Sequence, residues 1–158
     1  MKIQGKNSET GEEYQVEASH VNSEFIRTMS EFDMSDDQVK NLIDKLNISA
    51  DAKSLLYSFS KATIRAGEYI VKIGRKIIDL VLLITKEFPS TTFGMIFGAI
   101  AGFLISSIPI VGVVLGTIFT PIAVLLGLTL GLSEDIKNKA LIRKISEINA
   151  SFSPLNAH

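Results

Sequence analysis

Residues 88–133 have the sequence FPSTTFGMIFGAIAGFLISSIPIVGVVLGTIFTPIAVLLGLTLGLS, which contains no Asp, Glu, Lys, Arg or His. Lys86 and Glu87 precede this run of 46 residues, and Glu134 and Asp135 follow it. A helix that spans a bilayer needs about 20 apolar residues at about 1.5 Å each, so the run is too long for one span and suits two. The sequence therefore predicts a transmembrane helical hairpin.

The break between the two predicted spans lies at Pro109 and Gly112. Proline disfavours helical backbone in the residue before it, so the first helix should end near Ile108. We predict spans over residues 91–108 and 113–132. Pro121 lies inside the second span, where it predicts a kink or a hinge.

Basic residues flank the run on both sides, and they predict its orientation. Those before the run are Lys72, Arg75, Lys76 and Lys86, and those after it are Lys137, Lys139, Arg143 and Lys144. Cytoplasmic ends of membrane spans collect Lys and Arg, and only an even number of spans places both ends on one side. This pattern predicts an integral protein of the plasma (inner) membrane with both termini in the cytoplasm.

The glycines of the run recur at four-residue intervals. They are Gly94, Gly98, Gly102, Gly112, Gly116, Gly127 and Gly131. In lipid, close backbone approach along small-residue stripes is what helix association can use. The stripes are consistent with packing inside one hairpin or with a glycine zipper between subunits. Three stripes are more small-residue surface than one helix pair can bury, which favours a homo-oligomer.

The segment before this run divides into two parts. Residues 1–48 are predicted to form an acidic cytoplasmic α+β domain, with a β-hairpin over residues 2–18 and two short amphipathic helices. Ser35 and Gln38 are spaced for a capping box at the start of the second helix. Residues 49–87 are predicted to form one long basic amphipathic helix whose cations Lys72, Arg75, Lys76 and Lys86 contact lipid headgroups.

The C-terminal segment, residues 134–158, is predicted to form a cytoplasmic amphipathic helix and a tail. Ser133 and the two acidic residues after it suit a helix start. The apolar face consists of Ile136, Leu141, Ile145 and Ile148. This helix should lie against the long helix of residues 49–87. The complete prediction is a mainly α membrane protein with a transmembrane hairpin and a juxtamembrane helix.

No pattern typical of a catalytic site or a cofactor site occurs in the chain. It lacks cysteine, its two histidines lie at positions 20 and 158, and no glycine-rich phosphate loop or metalloprotease motif is present. We therefore predict no enzymatic activity, no cofactor and no metal site. The basic stripe of residues 61–76 contains few aromatic residues, which argues against nucleic-acid binding.

Residues 94–131 resemble the hydrophobic hairpin of pore-forming bacteriocins and the glycine zippers of secreted membrane-active toxins. The even number of spans is similar to that of two-span phage holins. This resemblance implies a prokaryotic defence or toxin effector. The sequence differs from the colicin type because its other segments are too few to wrap the hairpin.

Two functions follow from these predictions. The first is an oligomeric pore or channel, with Thr117 and Thr120 among its few polar lining groups and with gating by the cytoplasmic domain. The alternative is a non-conducting membrane anchor whose residues 1–48 hold a cytoplasmic protein partner. In both cases the bilayer is a partner.

Overall fold

The chain folds as an α+β protein in which helices surround one four-stranded sheet. This computed structural model describes residues 1–128 and 137–156. The strands are β1 (Lys2–Lys6), β2 (Glu13–Glu17), β3 (Ile64–Ala66) and β4 (Tyr69–Val71). The α-helices are α1 (Ser23–Ser30), α2 (Asp36–Lys45), α3 (Ala50–Ser60), α4 (Ile73–Glu87), α5 (Phe93–Phe97), α6 (Phe103–Ser107), α7 (Pro109–Leu125) and α8 (Lys139–Ser151). A π-helical turn, Gly98–Gly102, joins α5 to α6, and a 3-10 helix, Ser153–Leu155, follows α8. The predicted mainly α membrane fold is therefore wrong.

The sheet has the strand order β2-β1-β3-β4, and all neighbouring strands are antiparallel. β1 and β2 form the predicted hairpin, in which Ile3 pairs with Val16. The Asn7 side-chain oxygen accepts hydrogen bonds from the backbone N–H groups of Glu9 at 2.8 Å and Thr10 at 3.0 Å, which closes the turn. The alternating pattern of residues 2–18 thus predicted this hairpin correctly.

The predicted single helix over residues 49–87 is wrong, because β3 and β4 interrupt it. Residues 67 and 68 form a two-residue hairpin loop in which Gly67 has a φ of +60°. Glycine adopts this left-handed conformation without the steric cost of a Cβ, and it favours tight hairpin turns. The flanking strands contain Ile64, Ile70 and Val71, whose branched side chains suit strands. The segment therefore forms α3, a second hairpin and α4.

Two short helices follow the first hairpin, as the sequence predicts. Asn22 caps α1 by accepting a hydrogen bond from the N–H of Phe25 at 2.9 Å. Ser35 and Gln38 form the predicted capping box at the start of α2. The buried residues of these helices are Phe25, Ile26, Met29, Val39 and Ile43. The local signals of residues 1–48 therefore predicted these elements correctly.

The charge-free run does form a helical hairpin, but its helices are shorter than predicted. Its first arm, residues 93–107, consists of α5, the π-helical turn and α6, and its second arm is α7. Ile108 has extended backbone between the arms, and Pro109 begins the second arm. Gly127, with a φ of +71°, ends that arm, where the N–H of Leu128 donates to the carbonyl of Ala123 at 2.8 Å. A glycine in this conformation is a common helix stop.

None of the helices formed by residues 1–128 and 137–156 combines the length and the apolar character that a bilayer span requires. α7 has 17 residues, the most of these helices. A helix of that size rises about 26 Å, against about 30 Å of hydrocarbon in a bilayer. This finding contradicts the predicted transmembrane hairpin and the pore, channel and integral plasma-membrane assignments that depended on it, including the topology with both termini in the cytoplasm.

Other elements cover one side of the hairpin. α7 packs against β1, β2 and α3, and the first arm packs against α4. Four phenylalanine rings join these elements, because the ring of Phe97 lies 5.4 Å from that of Phe59, 5.7 Å from that of Phe93 and 5.5 Å from that of Phe119. The expectation that too few segments were present to cover a hairpin is therefore wrong, since the sheet, α3 and α4 provide the cover.

α8 packs against the π-helical turn of the first arm. Leu141, Ile145 and Ile148 are buried, as the predicted apolar face requires. Asn138 caps the helix through its side-chain oxygen. The predicted helix start at residues 133–135 and the predicted apolar position Ile136 lie outside the described residues. α8 thus contacts the hairpin rather than a long helix over residues 49–87.

Candidate ligand-binding groove

A groove of about 1010 Å³ lies between α8 and the two arms of the hairpin. The first arm and the residue after it contribute Gly98, Ala99, Gly102, Phe103, Ser106, Ser107 and Ile108. The second arm and its C-terminal turn contribute Phe119, Thr120, Ala123, Val124 and Leu128. α8 and the residues after it contribute Ile142, Ile145, Ser146, Asn149, Ala150, Ser153 and Asn156.

Small residues let the groove reach the backbone of the first arm. The π-helical turn begins at Gly98 and ends at Gly102, and both glycines line the groove. A Cβ on Gly98 would lie 3.3 Å from the side chain of Leu128, and one on Gly102 would lie 3.4 Å from the ring of Phe119. The two glycines therefore permit the close approach of the arms at the base of the groove. π-helical turns are rare within α-helices and occur frequently at functional sites.

Exposed apolar side chains surround this base. Phe103 is 50% exposed, Val124 is 72% exposed and Ile142 is 43% exposed, and all three line the groove. They come from the first arm, the second arm and α8, respectively. Exposed apolar residues scattered singly need no explanation, but a contiguous apolar surface marks a binding site. The groove is therefore the first candidate for a functional site in the described part of the chain.

The polar side chains of the groove are hydroxyls and amides. The Ser106 hydroxyl donates to the Gly102 carbonyl of its own helix at 3.0 Å, and the Thr120 hydroxyl donates to the Gly116 carbonyl at 3.2 Å. Asn149 differs from these two residues. Its Oδ1 atom is buried and has no hydrogen-bond donor among the described residues.

None of the described lining residues carries an ionisable side chain. The groove wall that they form thus provides no counter-charge for an ion and no side chain that could act as a general acid or base near neutral pH. In the described residues, no cluster of three or more His, Asp or Glu side chains could hold a metal ion. This wall can therefore enclose the apolar surface of a ligand and form a few hydrogen bonds with its uncharged groups.

No protein-family model, curated protein or solved structure matches this chain.

The predicted glycine stripes lie against residues of the same chain. A Cβ on Gly94 would lie 3.5 Å from the side chain of Leu128. A Cβ on Gly112 would lie 2.6 Å from the carbonyl oxygen of Ile105, whereas one on Gly116 would lie 3.8 Å from the side chain of that residue. The stripes therefore support contacts between the two arms. A role between subunits stays a prediction.

The two predicted prolines lie in α7, and Gly127 lies at its C-terminal end. Pro109 occupies its first helical position, where a missing N–H costs nothing. Pro121 is exposed inside the helix. Gly127 ends the helix, and Gly131 lies outside the described residues.

The two predicted threonines have different roles. Thr117 accepts a hydrogen bond from Nδ2 of Asn7 at 2.8 Å, and the same nitrogen donates to the carbonyl of Val113 at 2.9 Å. Asn7 is only 2% exposed, so it fastens the first β-turn to α7. Thr120, one turn further on, lines the groove.

Two of the predicted headgroup ligands are buried instead. Arg75 and Lys76 are each 7% exposed on α4. Arg75 donates to the side chain of Asp36 and to the carbonyl of Met34, and Lys76 donates to the carbonyl of Glu31. These bonds attach the loop between α1 and α2 to α4. The two cations therefore have structural partners within the chain.

Asp79 completes this attachment from the next turn of α4. Its carboxyl oxygens accept hydrogen bonds from the backbone N–H groups of Asp33 at 3.1 Å and Met34 at 3.2 Å, and the side chain is fully buried. Lys72 and Lys86, the other two predicted headgroup ligands, are exposed at the ends of α4. Contact of these two with lipid stays a prediction.

Gly98, Gly102 and Thr120, which the sequence predicted as helix-packing or pore residues, line the groove, whereas Asn149 and the apolar rim were not predicted. A signal for Asn149 was present, because it follows Ile145 by four residues and so lies on the apolar face of α8. A polar residue on such a face deserves explanation. For the rim no signal existed, since a charge-free run does not indicate which of its apolar residues remain exposed.

Proposed function

We propose that this protein is a non-enzymatic binding protein whose groove holds one elongated, mostly apolar small molecule. The observation that carries the proposal is a groove of about 1010 Å³ between helices, whose described lining is entirely uncharged. Small-molecule sites have volumes of about 300–1,000 Å³, are lined mainly by apolar side chains and often lie between helices of a bundle. The groove has these properties.

Burial of apolar surface supplies the driving force. Each Å² of apolar surface that leaves water contributes about 25 cal/mol. Phe103 is 50%, Val124 72% and Ile142 43% exposed, so covering these side chains is favourable. The glycine base offers little side-chain bulk, which suits a narrow hydrocarbon chain.

The polar lining favours binding over catalysis. The hydroxyls of Ser106 and Thr120 already donate to carbonyl groups of their own helices. A nucleophilic hydroxyl requires an adjacent base, and the described lining contains none. The predicted absence of enzymatic activity is therefore part of this proposal.

Fluorescence of N-phenyl-1-naphthylamine, an uncharged apolar dye, tests the proposal. The dye should bind one site and brighten on titration with the protein. Ala150 and Ala140 are both exposed on α8, but only Ala150 lines the groove. Ala150→Phe should weaken dye binding about tenfold, or about 1.4 kcal/mol, and Ala140→Phe should leave it unchanged.

Two results would contradict the proposal. One is a dye affinity that Ala150→Phe leaves unaltered, since binding would then lie elsewhere. The other is a dimer in sedimentation analysis that Ala150→Phe converts to a monomer, which would assign the groove to a second copy of the chain. Protein partners of residues 1–48, and the absence of nucleic-acid binding, stay predictions that neither result affects.

A further inference from the structure

Asn149 presents an unusual combination of position and bonding. It lines the groove from α8, next to Ile145 and Ala150 of the same wall. Its Oδ1 atom is shielded from water, and no described residue donates a hydrogen bond to it. Buried polar atoms are nearly always paired, and an unpaired one costs stability. No structural contact within the described chain accounts for an amide at this position.

The amide group can turn toward a ligand at little cost. Asn carries an acceptor oxygen and a nitrogen with two donor hydrogens. Its terminal torsion is broad, so a half-turn exchanges the positions of the oxygen and the nitrogen. Either group can therefore face the groove. A hydroxyl or an amide in the ligand can accept from Nδ2 or donate to Oδ1, whichever of the two faces the groove.

The charge of the wall restricts the ligand further. A carboxylate, phosphate or ammonium group that entered the groove would lose its hydration, and no described lining residue supplies a compensating charge. A neutral hydrogen-bonding group loses less hydration free energy when it enters the groove, and a hydrogen bond to Asn149 can compensate for this loss. The wall thus complements an uncharged head group.

We infer that the groove binds a hydrocarbon chain with an uncharged hydroxyl or amide head, and that Asn149 recognises this head. The inference rests on the function proposed above and adds the chemical class of the ligand. Fatty alcohols and fatty amides belong to this class. Fatty acids in their ionised form, alkyl phosphates and alkylammonium ions do not.

Competition between three ligands of equal chain length tests the inference. Decan-1-ol, decanoate and decylammonium displace N-phenyl-1-naphthylamine from the full chain at neutral pH. Decan-1-ol should act at a concentration about tenfold lower than either ion. Since each of the three ligands contains ten carbon atoms, the difference in the competing concentration reports the head group.

Two variants test the role of Asn149 in recognising the head group. Asn149→Leu keeps the size of the side chain and should raise the concentration of decan-1-ol needed for displacement about tenfold, while the dye affinity changes by less than about twofold. Asn156→Leu alters the other amide of the wall and should leave competition by decan-1-ol unchanged. An Asn149→Leu protein that binds decan-1-ol as tightly as the unaltered protein would refute the role of Asn149.

The outcomes separate this inference from the proposed function. Equal competition by the three ligands against a dye that Ala150→Phe weakens would refute the head-group inference and support the apolar site. Failure of the dye to bind at all would refute both. A stronger effect of decanoate or decylammonium would show that a charge contacts the ligand, and this would also overturn the inference.

Discussion

The helical hairpin contacts the rest of the molecule on two sides. These sides differ in how closely their side chains are packed and in how completely their polar atoms are hydrogen-bonded. On the side that faces α3, α4 and the sheet, Phe97 is fully buried among three other rings, and Asn7 uses both of its amide atoms in hydrogen bonds. On the side that faces α8, Phe103 is half exposed, and Oδ1 of Asn149 has no hydrogen-bond partner among the described residues. We call these the packed side and the groove side.

This difference separates structural residues from candidate functional ones. Protein interiors are packed as densely as organic crystals, and buried polar groups are almost always paired. Phe97 and Asn7 on the packed side follow these rules. Among the described residues, two buried polar atoms have no hydrogen-bond partner: Oδ1 of Asn149 on the groove side, and Nε of Arg75 on α4, whose other two guanidinium nitrogens donate to Asp36 and Met34. The groove side also leaves Phe103 half exposed, and such local departures are expected where a site serves a ligand rather than the fold. Phe97 and Phe103, and Asn7 and Asn149, are pairs of like residues on the two sides.

The largest expected effect comes from the two phenylalanines of the first arm. Phe97→Ala should lower the free energy of unfolding by about 3–5 kcal/mol, because it leaves a cavity among the rings of Phe59, Phe93 and Phe119. Phe103→Ala should lower it by less than about 1 kcal/mol, because half of that side chain is already in water. Urea denaturation measures both. Similar losses would mean that the groove side is as closely packed as the other.

The two asparagines should respond to the same substitution with opposite signs. Asn7→Leu removes donors to Val113 and Thr117 and should destabilise the protein by about 2–3 kcal/mol. Asn149→Leu removes an unpaired buried oxygen and should stabilise it by about 1 kcal/mol. Thermal and urea unfolding of the apo variants report the sign. A loss of stability in Asn149→Leu would show that this amide has a structural partner.

Gly112 and Gly116 both lie on α7, but only Gly116 has room for a Cβ atom. Gly112→Ala should cost about 2 kcal/mol, since the new Cβ would lie 2.6 Å from the backbone carbonyl of Ile105. Gly116→Ala should stabilise the protein by about 0.5–1 kcal/mol, since its Cβ has room at 3.8 Å and alanine favours helix. Urea denaturation distinguishes the two. A cost at both positions would indicate that Gly116 has a partner outside the chain.

Local signals in the sequence predicted the first hairpin and the helices that follow it, because their causes lie within a few residues. The alternation of residues 2–6 and 13–17, the turn at Asn7 and the capping box of Ser35 and Gln38 are all such signals. The second hairpin was missed because the amphipathic pattern of residues 49–87 outweighed Gly67. One glycine with a positive φ, at +60°, reverses the chain there.

The membrane prediction failed for a related reason. A charge-free run suits hydrocarbon, but it suits the interior of an α+β core equally well, and composition alone does not separate these environments. The separating detail is the helix stop at Gly127, which ends the second arm at Leu125 instead of the predicted residue 132. The groove depends further on the placement of α8, which the sequence does not specify. Gly98, Gly102 and Thr120 could be identified from the sequence because they are small or polar residues in an apolar run. The role of Asn149 depends on the groups that surround it in the fold, which the sequence does not show.

A last comparison concerns the surface between α2 and α3, where Tyr57 of α3 donates a hydrogen bond to the carboxylate of Asp44 in α2. Partial burial, followed by this hydrogen bond and the charge of Asp44, raises the pKa of Tyr57 from 10.0 to about 12. Because the folded chain holds this proton more tightly than the unfolded chain, the contribution to stability is complete below pH 10 and is lost as the pH rises through about 12.

Asp44→Asn should lower the pKa of Tyr57 toward 10.0, whereas Asp37→Asn, which changes an exposed carboxyl on the same helix, should not. Absorbance of the ionised phenol, measured as the difference between each protein and its Tyr57→Phe counterpart, gives the titration. If Asp44→Asn left the pKa of Tyr57 near its starting value, burial alone would account for the shift. Tyr57 would then be more closely packed on α3 than its hydrogen bonds indicate.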